Sequence, residues 1–505
     1  MHAYGLAILS SAVSGVLYFL AFAGFDLWPL AFVALGPLLL AVERDGLTTR
    51  QAISVGLLFG FVTNWGGYYW LVSMLESFSG FPFAACVLFA SVVCLYQGGQ
   101  LALFFVACLW IKRRGHSLLW IAAPVYAATE RIYPLLFPSY YANCLHDLPL
   151  LMQVVDLGGP TLLSALLVFW NVAIVSAVNA LRRRTPVDRR AMTLAALTLT
   201  LTLGYGAYRV ADINERIDAA PKRLIGVVQA DMGTFQKRND PEEGLRRHIE
   251  QSLQLERDQR VDLLIWPESS VAWGIAGHAT QVESLLSPLA TPVLFGGIAR
   301  RQTDGKRRIY NTAFMTDAQH QILGTYDKTY LLAFGEYLPF GEQFPWLHDV
   351  SPNSGHFTPG THQRPLPFGG YRISALICYE DVLPGFTRDA VRAADPHLLV
   401  NVTNDSWFGD THEPWIHLAL AKFRAVEHHR YLVRATNSGV SAIIDATGRV
   451  LEHSGTFERA SLHAEVAMLE GTTVYGLIGD WPGWLSLAIS IWMLRRRSPT
   501  PQYQP

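Results

Sequence analysis

With 505 residues, half of them apolar, the chain exceeds one ordinary domain, and a formal net charge of −1 offers no basic surface to a nucleic-acid backbone. No nucleic acid is therefore expected as a partner. The charge is unevenly spread: residues 1–208 hold 11 Lys plus Arg and 8 Asp plus Glu, whereas the other 297 residues hold 62 charged side chains. The first part is composed for lipid and the second for water.

In chain order, the first apolar run is 5–23, and no Lys or Arg precedes Arg44. The charged start of a cleavable signal is missing, so the run reads as a first membrane helix that stays. Runs 28–42, 51–75 and 83–111 follow. A weaker run, 117–129, stops at Glu130 and Arg131; then come 161–181, 191–208 and a last run, 481–494, short of a full span unless 474–479 extends it. Set against a ~30 Å hydrocarbon layer, which takes about 20 apolar residues, these give about eight crossings. Cys86, Cys94 and Cys108 fall inside the 83–111 run, where a thiol behaves as a small hydrophobe, leaving Cys144 and Cys378 as the thiols expected to face water.

The basic clusters are Arg44 with Arg50, then 112–114, then 182–184 with Arg189 and Arg190, and finally 495–497. Eight crossings bring every cluster to one face, which the positive-inside rule makes cytoplasmic. Both termini are then cytoplasmic and the polar block lies on the far side. If the arginines were only stop signals at helix ends, the lack of a basic cluster in loop 133–158 would be unexplained.

After residue 209 the apolar runs become short and are bounded by turn residues: 223–229, 261–266, 292–299, 372–380, 397–405 and 441–446. Helical patterns at 243–258, 387–394 and 414–434 lie between them. This alternation predicts an α/β domain whose strands are buried on both faces. The expected division is 1–208 for the N-terminal transmembrane helices, 209–472 for the α/β domain, and 473–505 for a C-terminal transmembrane helix and tail.

Three places are expected to end a buried strand in a reactive side chain. "VDLLIWPESS" leads to Glu268, "YDKTYLLAFGEY" carries Lys328 and Glu336, and "RISALICYED" carries Cys378. Strand ends are where ligands bind in open α/β sheets. A carboxylate in a dry pocket can take a thiol's proton and a fixed cation can stabilise a tetrahedral oxyanion, so Glu268, Cys378 and Lys328 fit the roles of base, nucleophile and stabiliser. Singly, each has an ordinary explanation: a core thiol, a turn carboxylate, a solvated lysine. "HEPWIH" places His412, Glu413 and His417 in a pattern like a zinc protease site, but the gap between the histidines is five residues and Pro414 interrupts it, so no metal is assigned.

Together, "WPES", "YDK" with "FGEY", and "ICYED" resemble the nitrilase superfamily of carbon–nitrogen hydrolases. The apolar part in front, the single apolar run behind, and the stretch 403–448 narrow the resemblance to the apolipoprotein N-acyltransferase family. That resemblance implies an α-β-β-α sandwich joined to eight membrane helices, with Glu268 as general base, Lys328 as oxyanion stabiliser and Cys378 as acyl acceptor. It implies Glu336 as a second essential acid orienting the lysine and the substrate amine; Tyr379, Glu380, Asn311 and Trp407 also match the family. Tyr330 and Ala333 depart from it, standing where His and Pro are common.

The implied reaction moves a fatty acyl chain from a membrane phospholipid, through a cysteine thioester, to the α-amino group of a diacylglyceryl apolipoprotein, without a cofactor. It would take place in a bacterial inner (cytoplasmic) membrane, with the catalytic domain extracytoplasmic. A membrane-tethered amidase or nitrilase shares every catalytic residue and differs in whether water resolves the acyl-enzyme. A transporter is a third reading, opposed by the scarcity of ionisable residues in the spans. The aromatic loop 337–352, with Phe340, Phe344 and Trp346, reads equally as a lid at the lipid headgroups or as an ordinary cover of the sheet.

Overall fold

The computed structural model describes residues 2–43, 46–303, 305–332, 335–338, 341, 343–344, 346 and 355–497. It divides into two compact units. One comprises Met1–Val72, Ala84–Val210 and Leu477–Pro505, and the other Ser73–Phe83 and Ala211–Gly476.

All eight apolar runs are helical. They form α1 (His2–Leu20), a 3-10 turn (Trp28–Phe32) leading to α2 (Gly36–Glu43), α3 (Thr49–Gly67) followed by α4 (Leu71–Ser79), α5 (Phe83–Lys112) and α6 (Leu118–Ile132). A short α7 (Pro149–Met152) precedes α8 (Val155–Arg183) and α9 (Arg189–Ala219). Among the described residues, four helices are by themselves long and apolar enough to cross a membrane: α1, α5, α8 and α9. The others are short or broken: α3 ends at Gly67 before α4 restarts at Leu71, and α6 has 15 residues. Outward-facing Leu88, Val92, Leu95 and Leu201 are exposed, as expected of surfaces that lipid covers. The helices α3 and α5 meet where a Cβ on Gly60 would lie 2.1 Å from the Gly98 carbonyl oxygen, a backbone approach that only glycine permits.

The second unit holds two sheets. In chain order the strands are β1 (Lys222–Gln229), β2 (Leu263–Ile265), β3 (Val271–Ala276), β4 (Val293–Thr303), β5 (Lys306–Thr316), β6 (Ile322–Asp327), β7 (Leu366–Phe368), β8 (Tyr371–Ile377), β9 (Leu398–Thr403), β10 (Tyr431–Thr436), β11 (Ala442–Ile444), β12 (Val450–His453) and β13 (Ala460–Ala467). One sheet runs β13-β1-β2-β4-β5-β6 with β3 on β4; the other runs β12-β11-β10-β9-β8-β7. Its helices are α10 (Thr234–Asn239), α11 (Pro241–Gln259), α12 (Glu283–Leu286), α13 (Pro384–Ala394), α14 (Glu413–His428) and α15 (Val474–Ile478); α16 (Trp481–Arg495) then closes the first unit.

The period-2 alternation of strand side chains explains the layers. Ile225, Val227, Leu263 and Ile265 of one sheet share a core with Ile373, Ile377, Val400, Val402 and Val433 of the other. Their neighbours point outward: Leu264 and Val228 meet Leu255 of α11, while Leu399 and Leu432 meet Leu418, Ala421 and Ala425 of α14. Each such fully buried aliphatic side chain stabilises by roughly 1.5–3 kcal/mol, so strands apolar on both faces are driven into the α-β-β-α sandwich.

One expected element is corrected. The helical pattern 414–434 ends at His428, with His429 in the left-handed region (φ 50°), and 431–436 forms β10. Arg430 and Arg434, which fall inside or at the end of that pattern, are both buried.

Candidate active site

Parallel pairing of β8 with β9 and of β2 with β4 makes these strands end on common edges, and the side chains of interest leave from those ends. Glu268 follows β2 after Trp266 and Pro267, and its backbone packs against Gly296 of β4. A Cβ there would lie 2.5 Å from the Glu268 Cα. Lys328 follows β6, its N–H donating to the Asn311 carbonyl (2.8 Å) and its carbonyl accepting from the Gly360 N–H (2.7 Å). Cys378 follows β8 with φ 52°, a left-handed conformation costly for a residue with a Cβ, and one that turns a side chain out of the strand line.

The four polar groups form one cluster. Lys328 Nζ lies 2.6 Å from Glu336 Oε2 and 3.9 Å from Glu268 Oε1. Asn311 Nδ2 donates to Glu268 Oε1 (2.6 Å) and to Glu336 Oε1 (2.8 Å), fixing both carboxylates about the ammonium. The Leu332 N–H donates to the second Glu336 oxygen (2.9 Å). These groups share a cavity with Cys378, Trp407, Met74, Ile298 and Phe357. Burial pushes the Glu268 carboxyl above its ordinary range, with Lys328 pulling against it, as suits a base. Burial would lower the Lys328 ammonium, but Glu336, Cys378 and Glu268 outweigh it and hold the charge. The Cys378 thiol is pushed up by burial and drawn down by Lys328.

Glu380 acts as a clamp between two strand ends. Its carboxylate accepts from the N–H groups of Thr329 (2.9 Å), Tyr330 (3.0 Å) and Ile377 (2.8 Å), and from the Tyr326 hydroxyl (2.9 Å). The chain after Lys328 is thereby tied to the chain before Cys378. Burial raises this carboxyl to about 7 against Lys328 and the backbone donors. Tyr379 stacks on Tyr330, ring centroids 5.9 Å apart, which gives the departure at Tyr330 a packing role. Ala333, the other departure, lies outside the described residues, as do Arg44 and Phe340; Phe344 and Trp346 of the aromatic loop are exposed.

Behind the cysteine lies a buried charge network that the sequence did not reveal. Arg434 pairs with Asp381 (2.9 Å) and Asp405 (2.7 Å), and His417 bridges the same two carboxylates at 2.8 and 3.0 Å. Arg434 also donates to Asn401 Oδ1, whose Nδ2 donates to the Cys378 carbonyl (3.1 Å), so the network supports the strained turn. Asp405, Glu413 and His417 have metal-ligand spacing, but Arg434 and the imidazolium already neutralise the two aspartates.

Burial and Arg434 oppose charge on His417, and the two aspartates outweigh them, raising it from 6.5 to about 10. The folded state binds this proton more tightly, so the contribution is whole below pH 6.5 and is lost as pH rises toward 10. Burial would raise Asp405, but Arg434 and His417 lower it from 3.8 to about 2, so its contribution is whole above 3.8 and lost as pH falls toward 2. Network stabilisation is expected to peak between these limits. In thermal unfolding of the detergent-solubilised chain, His417→Gln should flatten the decline in stability between about pH 7 and about pH 9. An unchanged slope would remove a charged His417 from the network.

The expected residues are thus brought together: Glu268, Lys328, Cys378, Asn311, Glu336 and Trp407 line one cavity, while Tyr379 and Glu380 support it from the 3-10 turn after Cys378. Cys144 is a correction. It was expected to face water, but a 3-10 turn (Tyr141–Leu145) packs it inside the helical unit, 2% exposed; of the five cysteines only Cys378 is not buried. Lys237, Asn401 and Arg434 were missed because nothing local marks a buried polar group; Asn401 and Arg434 at least interrupt apolar runs, whereas Lys237 sits in the polar stretch 236–243 and gives no such signal.

Comparison with known proteins agrees over both units. The family described as apolipoprotein N-acyltransferase N-terminal domain matches residues 14–173, and the carbon–nitrogen hydrolase family matches 224–472. Proteins named apolipoprotein N-acyltransferase from Geobacter metallireducens and Bdellovibrio bacteriovorus are 31% and 30% identical to this chain. The first alignment covers 95% of this chain and 93% of the relative, the second 94% and 90%. Among solved structures, a Saccharomyces cerevisiae member of branch 10 of the nitrilase superfamily is 17% identical, covering 49% of this chain and 90% of its own, with a TM-score of 0.37. Near-full-length identity at this level, spanning the helical unit and the sandwich alike, makes the chain a member of the apolipoprotein N-acyltransferase family.

Proposed function

We propose that the protein transfers a fatty acyl chain from a membrane phospholipid to the α-amino group of a diacylglyceryl-modified N-terminal cysteine of an apolipoprotein. The observation that carries this reading is the Glu268–Asn311–Glu336–Lys328 cluster beside Cys378, in a chain of this family. Glu268 takes the thiol proton and Sγ attacks the phospholipid ester carbonyl. Lys328 stabilises the resulting oxyanion. The ester C–O bond breaks, the departing oxygen takes the proton from Glu268, and lysophospholipid leaves a thioester on Cys378. In the second half the acceptor amine attacks the thioester carbonyl and the C–S bond breaks. The amine proton passes through Glu268 to the thiolate, and Glu336 orients lysine and amine. Trp407 and Tyr379 line and support the pocket.

The enzyme is proposed to be multi-pass in the inner membrane, with eight crossings, cytoplasmic termini and an extracytoplasmic catalytic unit. Reporter fusions after Arg114 and Arg190 should report cytoplasm, and those near Asp147 and Arg300 the opposite side; a cytoplasmic Arg300 would overturn the orientation. To test the function, purified protein is given acyl-labelled phospholipid and a diacylglyceryl-cysteine peptide. Label should appear as peptide amide, with lysophospholipid in equal amount. Label released as free fatty acid in the presence of peptide would make the protein a hydrolase.

A further inference from the structure

Lys237 lies on α10, is 3% exposed, and lines the cavity that holds Glu268, Lys328, Cys378 and Trp407. Its Nζ donates to the Glu268 backbone carbonyl at 3.2 Å, an oxygen that Asn437 Nδ2 already serves at 2.7 Å. Among the described residues this is the one hydrogen bond of Lys237 Nζ, and an ammonium carries more N–H donors than this contact uses. Burial draws the amine down to about 7, with the Glu268 charge opposing, so an arriving anion would restore the full cation. The two proposed substrates differ in this respect. A phospholipid donor carries an anionic phosphodiester a few bonds from the ester carbonyl under attack. The diacylglyceryl acceptor carries esters, a thioether and an amine, but no phosphate.

We propose that Lys237 is the subsite for the donor's phosphodiester and acts in the first half-reaction, placing the scissile ester over Cys378. This rests on the reading of a phospholipid as acyl donor. Lys237 takes no part in bond making; it recognises a charge that the first substrate has and the second lacks.

The test compares thioester formation on Cys378 from phospholipid with that from a phosphate-free acyl ester of p-nitrophenol, using the full chain in detergent. Lys237→Gln should lower the phospholipid-to-ester ratio of rates by about ten- to a hundredfold, and Lys237→Arg should restore most of it. Equal losses with both donors would make Lys237 a support for Glu268, and an unchanged ratio would remove it from donor binding; either overturns the proposal. If Lys237→Gln does not fold, wild-type protein decides. Thioester formation from the phosphate-free ester should be inhibited about tenfold more strongly by lysophospholipid than by monoacylglycerol of the same chain, and equal inhibition overturns the assignment. Failure of wild-type protein to form any thioester from phospholipid, while reacting with the ester, would instead refute the phospholipid donor.

Discussion

Replacing Cys378 by serine is expected to abolish the acyl-enzyme while leaving yield and membrane insertion unchanged. Glu268, raised by burial, is a base strong enough for a thiol whose ordinary pKa is ~8.5, but far too weak to generate an alkoxide. If Cys378 were only a core thiol, the substitution would bury a hydroxyl, cost ~1–3 kcal/mol, and activity would follow the folded fraction. The two outcomes separate on labelled thioester per folded molecule. Because Cys378 is the only cysteine that is not buried, a thiol reagent on the folded protein should label it alone, and prior acylation should block that label. A hydroxylamine-sensitive thioester persisting in Cys378→Ser at wild-type level would dismiss Cys378 as nucleophile.

Lys328→Arg should be nearly as damaging, although it preserves charge. The ammonium is 1% exposed and sits 2.6 Å from Glu336 and 3.9 Å from Glu268, a space shaped for a compact donor. A planar guanidinium cannot occupy it without displacing the carboxylates. The turnover number should fall by about 10²–10³, the loss typical of removing an oxyanion donor, with a smaller change in KM. Lys328→Met goes further: it leaves Glu268 and Glu336 buried without their cation, and breaking a buried pair costs about 3–5 kcal/mol. Lower thermal stability in Met than in Arg is therefore expected. Activity of Lys328→Arg within a few-fold of wild type would remove Lys328 from the reaction.

Where apolar pattern alone decides structure, the fold was legible. β1, β2, β4, β8, β9 and β11 correspond to short, mostly apolar runs because both of their faces are covered. β5 begins with Lys306, Arg307 and Arg308, charges that mask a strand pairing antiparallel with the preceding β4, whereas β10 contains Arg434 and pairs with the sequence-distant β9. Arg434 tolerates burial only because Asp381 and Asp405 come from other elements, and such pairing has no local trace. The same limit hid Lys237 and misplaced Cys144, whereas Glu268 and Cys378 stood out just past buried strands; Lys328 follows the mostly half-buried β6 and stood out through its "YDK" and "FGEY" motifs. All eight apolar runs were helical, but among the described residues length and apolar composition together suffice for a crossing in α1, α5, α8 and α9.

Cys378 is proposed to carry the acyl group between a phospholipid and an amine. The most direct measurement is peptide-resolved mass spectrometry of the intact enzyme, first after exposure to phospholipid and again after addition of a diacylglyceryl-cysteine peptide. The account predicts one fatty acyl mass on the peptide bearing Cys378, released by hydroxylamine, and its disappearance as the same mass appears on the acceptor's α-amine. An acyl mass on another residue, or N-acylated acceptor formed at full rate with Cys378 never modified, would contradict it.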